Sequence, residues 1–202
     1  MFSKNAIIGL DLSLKGTGYC VLDGSYQDKP VVETGLLPGR EAKTTEEKIL
    51  RIEEVAEGVM KILARMENPG HIIIEAPAKG QVFQAAAIGE IHGVVKNKIY
   101  TTYGVFPYVI EASQIRKAVF GKIERKTSSK ILTSGKNKGK IKKFVSYGLI
   151  PGKGGKLREA TIKDIIGLRL KDMGYEFPDQ DQADAFVTAF YLWKYLADKE
   201  RE

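Results

Sequence analysis

The chain has 202 residues, 43% of them hydrophobic, with one cysteine, two histidines and a net charge of +7. That length suits one α/β domain with a sizeable core over 1–202, and the lone Cys20 rules out an internal disulfide or a thiol-rich zinc site. With only His71 and His92 available besides, any metal is expected to be a hard ion held by oxygen. No apolar run approaches the roughly 18 residues of a membrane span, and no signal-like lead precedes Ala6, so a cytoplasmic location is expected.

In chain order, residues 5–11 and 18–23 read as two strands joined by the turn-forming Ser13-Leu14-Lys15-Gly16. Val31–Leu37 reads as a third strand, ended by Pro38-Gly39. Thr44 and Glu47 have the spacing of a capping box before a long helix. Ile49, Ile52, Val55, Val59, Ile62 and Leu63 recur there at helical spacing. His71–Glu75 is a β-branched run, hence a buried strand, and Gln81 to about Tyr100 reads as an alanine-rich helix. Val105–Ala112 is expected as a strand and Ser113–Phe120 as a short helix. Residues 121–156 are rich in Lys, Gly and Ser and read as a basic insertion of about 122–156, with one ordered stretch at Ile141–Leu149. Leu157–Met173 and Asp181–Lys199 are expected as the last two helices. Three strands followed by strand–helix alternation imply a mixed sheet flanked by helices.

The charge is not spread evenly. Between Arg116 and Lys163 there are 15 Lys and Arg against two acids, a net +13, and the rest of the chain carries −6. Such a segment suits a phosphate-backbone surface, a solvated lysine-rich loop being the alternative.

Carboxylates recur where structure alone does not call for them. Asp11 ends the first strand, Glu75 ends the strand after Ile72-Ile73-Ile74, and Asp181 and Asp184 lie three apart on one face of the last helix. An acid at the end of a buried strand is costly unless it is paired or binds a cation. Singly, Asp11 reads equally well as a turn cap, Glu75 as an edge acid and Asp181 as an N-cap, with Asp179 competing for that role. Asp184 is harder to dismiss, because Ala183, Ala185, Phe186 and Ala189 around it look buried. If the strands are neighbours and the helix packs beside them, the four converge and need divalent cations. Two magnesium ions about 4 Å apart on such a cluster suit phosphodiester hydrolysis.

Four motifs together resemble a known family, the RuvC Holliday-junction resolvases of the ribonuclease H-like superfamily, above all those encoded by bacteriophages. They are Gly9-Leu10-Asp11-Leu12-Ser13-Leu14-Lys15-Gly16-Thr17-Gly18-Tyr19, Ile73-Ile74-Glu75, Ala112-Ser113-Gln114-Ile115-Arg116-Lys117-Ala118-Val119-Phe120-Gly121 and Asp181-Gln182-Ala183-Asp184-Ala185. Their order and spacing agree over nearly the whole chain. The resemblance implies a ribonuclease H-like fold, a homodimer and paired nicks across a four-way DNA junction. It implies metal ligands at Asp11, Glu75, Asp181 and Asp184 for two Mg2+ ions, with Mn2+ able to substitute, and products with a 5′-phosphate and a 3′-hydroxyl. DNA contacts are expected from Arg116, Lys117, Lys122, Lys140, Lys142, Lys143 and Lys163, the last matching the family's lysine-bearing helix.

The sequence departs from the family in places. The family's junction-probing aromatic follows the second acid closely, whereas here Phe83 stands a few residues late and reads either as that probe or as a helix core residue. Gly89 and Gly93 fit close helix packing at a dimer interface or within one subunit. The insertion is larger than in the bacterial enzymes, which opens a broader action on flaps and forks.

Other signals are weaker. Gly152-Lys153-Gly154-Gly155-Lys156-Leu157 and Gly135-Lys136-Asn137-Lys138-Gly139-Lys140-Ile141 lack the spacing of a nucleotide-phosphate loop, and no nucleotide cofactor is expected. Tyr100, Tyr103, Phe106 and Tyr108 read as core and strand packing, and Tyr191, Trp193 and Tyr195 as packing or dimer surface. Competing readings are an enzyme of the actin and sugar-kinase kind, which needs two such domains, a junction-binding protein without catalysis, and a nuclease acting on RNA in a hybrid.

Overall fold

The computed structural model describes the chain except residues 27, 40–41, 78–81, 132–139 and 152–155, and describes the backbone alone at 82–85, 128, 130 and 142–144. In chain order the elements are β1 (Ile7–Asp11), β2 (Gly16–Asp23), β3 (Val31–Pro38), α1 (Thr45–Leu63), β4 (His71–Glu75), α2 (Val82–Tyr103), β5 (Tyr108–Ile110), α3 (Ala112–Phe120), β6 (Lys126–Ile131), β7 (Ile141–Ser146), β8 (Leu149–Pro151), β9 (Leu157–Glu159), α4 (Ile162–Asp172) and α5 (Gln180–Lys199). They fall into two compact units, Met1–Val119 with Phe177–Glu202, and Phe120–Glu176.

The first unit is built on a five-stranded sheet in the order β3-β2-β1-β4-β5. β1, β2 and β3 are antiparallel, while β4 and β5 run parallel to β1. It is the expected mixed sheet. Side chains alternate across a strand, so one set faces each layer of helices. Ile8, Leu10, Val21, Ile72 and Ile74 join one core with Ile52, Val55 and Val59 of α1 and Ile91 and Val95 of α2. Gly9 faces the other way, onto α5. A Cβ at Gly9 would lie 2.5 Å from the Ala185 carbonyl oxygen, so only glycine lets the helix backbone sit on the strand.

The caps explain where helices begin and end. The Thr44–Glu47 capping box forms as expected, with the Glu47 amide donating to Thr44 Oγ1 at 3.1 Å and the Thr44 amide donating to Glu47 Oε2 at 3.2 Å. Gly104, at φ +70°, closes α2, and its amide donates to the Tyr100 carbonyl at 2.8 Å. Pro107 then leaves β5 shorter than the expected Val105–Ala112. Ile49, expected on the buried stripe of α1, is 57% exposed, and Arg51 is buried in that stripe.

The second unit departs from expectation. The ordered stretch expected at Ile141–Leu149 holds β7, and with β6, which is not expected, it forms an antiparallel hairpin from Lys126↔Ser146 to Ile131↔Ile141. β8 and β9 form a second one. The helix expected over Leu157–Met173 starts only at Ile162, because Leu157–Glu159 pair with β8 and the Thr161–Asp164 capping box starts the helix after them. The Arg158 guanidinium and the Thr161 backbone amide hold the Asp164 carboxyl far below the usual carboxylate range.

Candidate active site

Strand period and register bring the first two acids together. Leu10 pairs with Ile74 across the parallel β1–β4 ladder, so Asp11 and Glu75 end adjacent strands side by side. Alternation turns Asp11 with Gly9, and Glu75 with Ile73, toward the layer occupied by α5. Gly18 of β2 stands opposite Asp11 in the ladder. A Cβ at Gly18 would fall on the carbonyl oxygen of Asp181, and one at Gly16 would lie 3.5 Å from Asp181 Oδ2. The glycines of the first motif thus seat the first turn of α5, and its acid, against the end of the sheet.

Asp184 lies one turn further along and is 6% exposed. The Gln180 amide nitrogen donates to its Oδ1 at 3.2 Å. Arg116 Nη2 of α3 stands 3.9 Å from both Asp184 Oδ1 and Glu75 Oε1. One guanidinium therefore serves two carboxylates of the set. Acids this close and this buried raise each other's energy, and a fixed cation offsets that cost. Arg116, expected as a DNA contact, is held within the acidic corner.

The cap of α5 settles which acid does what. Asp179 is the N-cap and accepts from the Gln182 amide at 2.9 Å, so Asp181 is not needed for that task. Gln182 Nε2 also donates to Asp179 at 2.7 Å, and Gln182 Oε1 accepts from Thr34 Oγ1 of β3 at 2.8 Å. The helix start is thereby tied to the far side of the sheet. On the other side, Arg51 Nε donates to the Leu14 carbonyl at 3.0 Å, and Thr17 Oγ1 to the Ser13 carbonyl at 2.9 Å. These bonds hold the turn that follows Asp11. Arg51 and Gln180 lie outside the sequence motifs, and Gln182 lies inside one without a role of its own. The signal for Arg51 was present, since it stands at four-residue spacing with the buried Val55 and Val59 of α1.

The remaining expected contacts are placed as follows. Lys117 is exposed on α3, beside Arg116 in sequence. In the second unit Lys122, Lys140 and Lys163 are exposed. Lys122 lines a cavity of about 500 Å³ with Ile123, Glu124, Tyr147, Leu168 and Arg169, among others. Lys142 and Lys143 lie in β7 and Phe83 in α2, but their side chains fall outside the described residues. Trp193 is buried, as expected for packing, whereas Tyr100, Phe106 and Tyr108 are 46%, 75% and 44% exposed and are not core residues. Pro107 and the short β5 leave Phe106 and Tyr108 outside the sheet core, and Tyr100, on α2, stacks on Phe106 at 4.4 Å.

The donor set is all carboxylate, which suits a hard divalent ion. Among the described residues no three His, Cys, Asp or Glu side chains converge closely enough to form a metal cluster. In this conformation the charge on Glu75 and Asp184 is answered by Arg116.

No protein-family model and no curated protein matches this sequence. Among the solved structures that share its fold are two of one protein. One is Thermus thermophilus RuvC, with 18% identity, 96% of each chain covered and a TM-score of 0.58. The other is T. thermophilus RuvC in complex with a Holliday junction substrate, with 16% identity, the same coverage and a TM-score of 0.62. The chain thus has a RuvC-like, ribonuclease H-like fold.

Proposed function

We propose that this protein is a metal-dependent endonuclease that cuts branched DNA, with the four-way junction as its principal substrate. The observation that carries the proposal is that three elements, β1, β4 and α5, bring Asp11, Glu75, and Asp181 with Asp184 to one end of the sheet. The close approach of α5 to the sheet, which Gly9 and Gly18 permit, sets its acids beside the strand ends. The likeness in fold to a protein solved with a Holliday junction supports this choice of substrate.

The four carboxylates would hold two Mg2+ or Mn2+ ions, which when bound supply an activated water and a counter-charge for the leaving oxygen. The chain's own contribution is position and charge. Water adds to phosphorus in line, the bond from phosphorus to the 3′ oxygen breaks, and the products carry a 5′-phosphate and a 3′-hydroxyl. Arg116 balances Glu75 and Asp184, and its planar guanidinium would suit a phosphate oxygen of the substrate. Gln180 steadies Asp184, while Asp179 and Gln182 fix the helix that carries it.

The family's homodimer fits one further feature. A Cβ at Gly89 or Gly93 would meet nothing within 4 Å, so intrachain packing does not account for either glycine. That exposed face of α2 is where a second copy would pack. Among the described residues no helix is long and apolar enough to cross a membrane, and a cytoplasmic site of action is part of the proposal.

Asp11→Asn tests the site. The variant is expected to lose junction cutting by roughly 10³-fold or more, as the loss of several kcal/mol of metal-borne stabilisation implies, and to keep junction affinity. Cutting at the wild-type rate would overturn the assignment.

A further inference from the structure

The second unit carries a surface that the proposed chemistry does not use. β6 and β7 pair residue for residue, so Thr127, Ser129 and Ile131 share one face of the ribbon with positions 145, 143 and 141. Thr127 and Ser129 are exposed. Val145 is 48% exposed, Ile131 61% and Ile141 70%. The last two stand directly opposite each other at the end of the ribbon. The β8–β9 hairpin repeats the pattern, with Leu149 64% and Leu157 65% exposed. Between Glu124 and Glu159 the sequence holds no acid.

Branched carbon left in water along a strand pair calls for a partner. The rim decides which. Arg125, Lys126 and Lys140 are exposed around the ribbon, and with no acid in the segment the surface suits a polyanion. A two-stranded ribbon is of a size that the major groove of duplex DNA admits, about 12 Å across. A paired apolar wedge at a ribbon's end is also a means of prising a base step.

We propose that the β6–β7 hairpin is a groove-binding ribbon for duplex DNA. Its lysines sit on the flanking phosphates, and Ile131 and Ile141 press on the base edges. The proposal rests on the reading of DNA as substrate, but not on the carboxylate site. It gives the second unit its own task, holding a duplex arm irrespective of which strand is cut.

The test is anisotropy of a labelled linear duplex and a labelled four-way junction over a salt series in chelator, using the full chain. Two double variants are compared with wild type, Ile131→Ser/Ile141→Ser and Lys126→Gln/Lys140→Gln, with thermal melts to show that each folds. The isoleucine variant is expected to bind both DNAs roughly tenfold more weakly with the salt slope unchanged. The lysine variant is expected to lower that slope by about two, one for each phosphate contact removed. Wild-type affinity and slope in both variants, with wild type binding DNA, would overturn the ribbon. So would loss of self-association in the isoleucine variant with DNA binding intact, which assigns the face to a second copy. Junction cutting by wild type in magnesium is read alongside. Binding without cutting sinks the nuclease alone, and a wild type that binds no DNA sinks both.

Discussion

The two units put their apolar residues to opposite uses. In the first, Ile7, Ile8, Leu10, Ile72, Ile73 and Ile74 are wholly buried, and Asp11 and Glu75 stand at the ends of those same strands. In the second, Ile131, Ile141, Leu149 and Leu157 are each more than 60% exposed on short hairpins. An isolated two-stranded hairpin is marginal in water, so it suits adaptable contact with an extended ligand. A five-stranded sheet with helices packed on it holds side chains in one place. The comparison teaches that precision of placement, which chemistry needs, sits on the deeply packed unit. Reach and charge sit on the lightly packed one.

That contrast is open to attack by substitution. The largest effect is expected at Gly18, where a side chain would fall on the Asp181 carbonyl. Gly18→Val should cost about 3 kcal/mol, seen as a fall in Tm of roughly 10 °C, and should displace the helix that carries two of the acids. Leu157→Ser in the second unit should change stability by no more than about 0.5 kcal/mol, since the side chain is exposed. Equal losses at the two positions would break the comparison.

Next come the adjacent cations on α3. Arg116 is held between Glu75 and Asp184, whereas Lys117 is exposed. Arg116→Gln should lower kcat roughly 10²-fold, and Lys117→Gln should weaken binding only a few-fold, if the proposed roles hold, one cation at the reacting phosphate and the other at the backbone. Single-turnover kinetics with the protein in excess over junction, over a series of protein concentrations, separates these effects. A smaller effect is expected at the cap. Asp179→Ala should cost about 1 kcal/mol in chemical denaturation, and Thr34→Val, at the other end of the same chain of bonds, less.

The smallest effect concerns pH. Burial, then the charge of Lys96, pushes the His92 imidazole down to about 4 from 6.5. The unfolded chain therefore takes up a proton before the folded one does. The stability owed to neutral His92 is fully present above about 6.5, declines as pH falls, and is lost below about 4. Denaturation midpoints measured from pH 7 to pH 4 should fall, and His92→Leu should flatten that decline. A variant with the wild-type slope would show that other groups govern it.

Much of the first unit is readable from sequence, because buried strands and capped helices impose simple periods. Asp11 and Glu75 stand out in the sequence for the same reason, since each ends a buried apolar run, and the strand ladder sets them side by side. What escaped was set by tertiary contact. Arg51 lies within an apolar stripe yet bonds a turn 37 residues away. Arg116 carries nothing in its own helix that places it between two strand-end and helix acids. Leu157–Glu159 became a strand because a partner, Leu149–Pro151, was available, and a capping box began the helix beyond it. The paired lysine-rich strands of β6 and β7 have weak local preference, and long-range pairing decided them.

The most direct test of the central claim is cleavage of end-labelled four-way junction, flap, fork and linear duplex by the wild-type chain, in magnesium and in chelator. The account predicts paired, symmetric nicks in the junction that need the metal and leave 5′-phosphates, with linear duplex uncut. Cutting of flaps and forks as readily as junctions would keep the carboxylate site and widen the substrate to branched DNA in general. No cutting of any of these DNAs in magnesium or manganese would contradict the account.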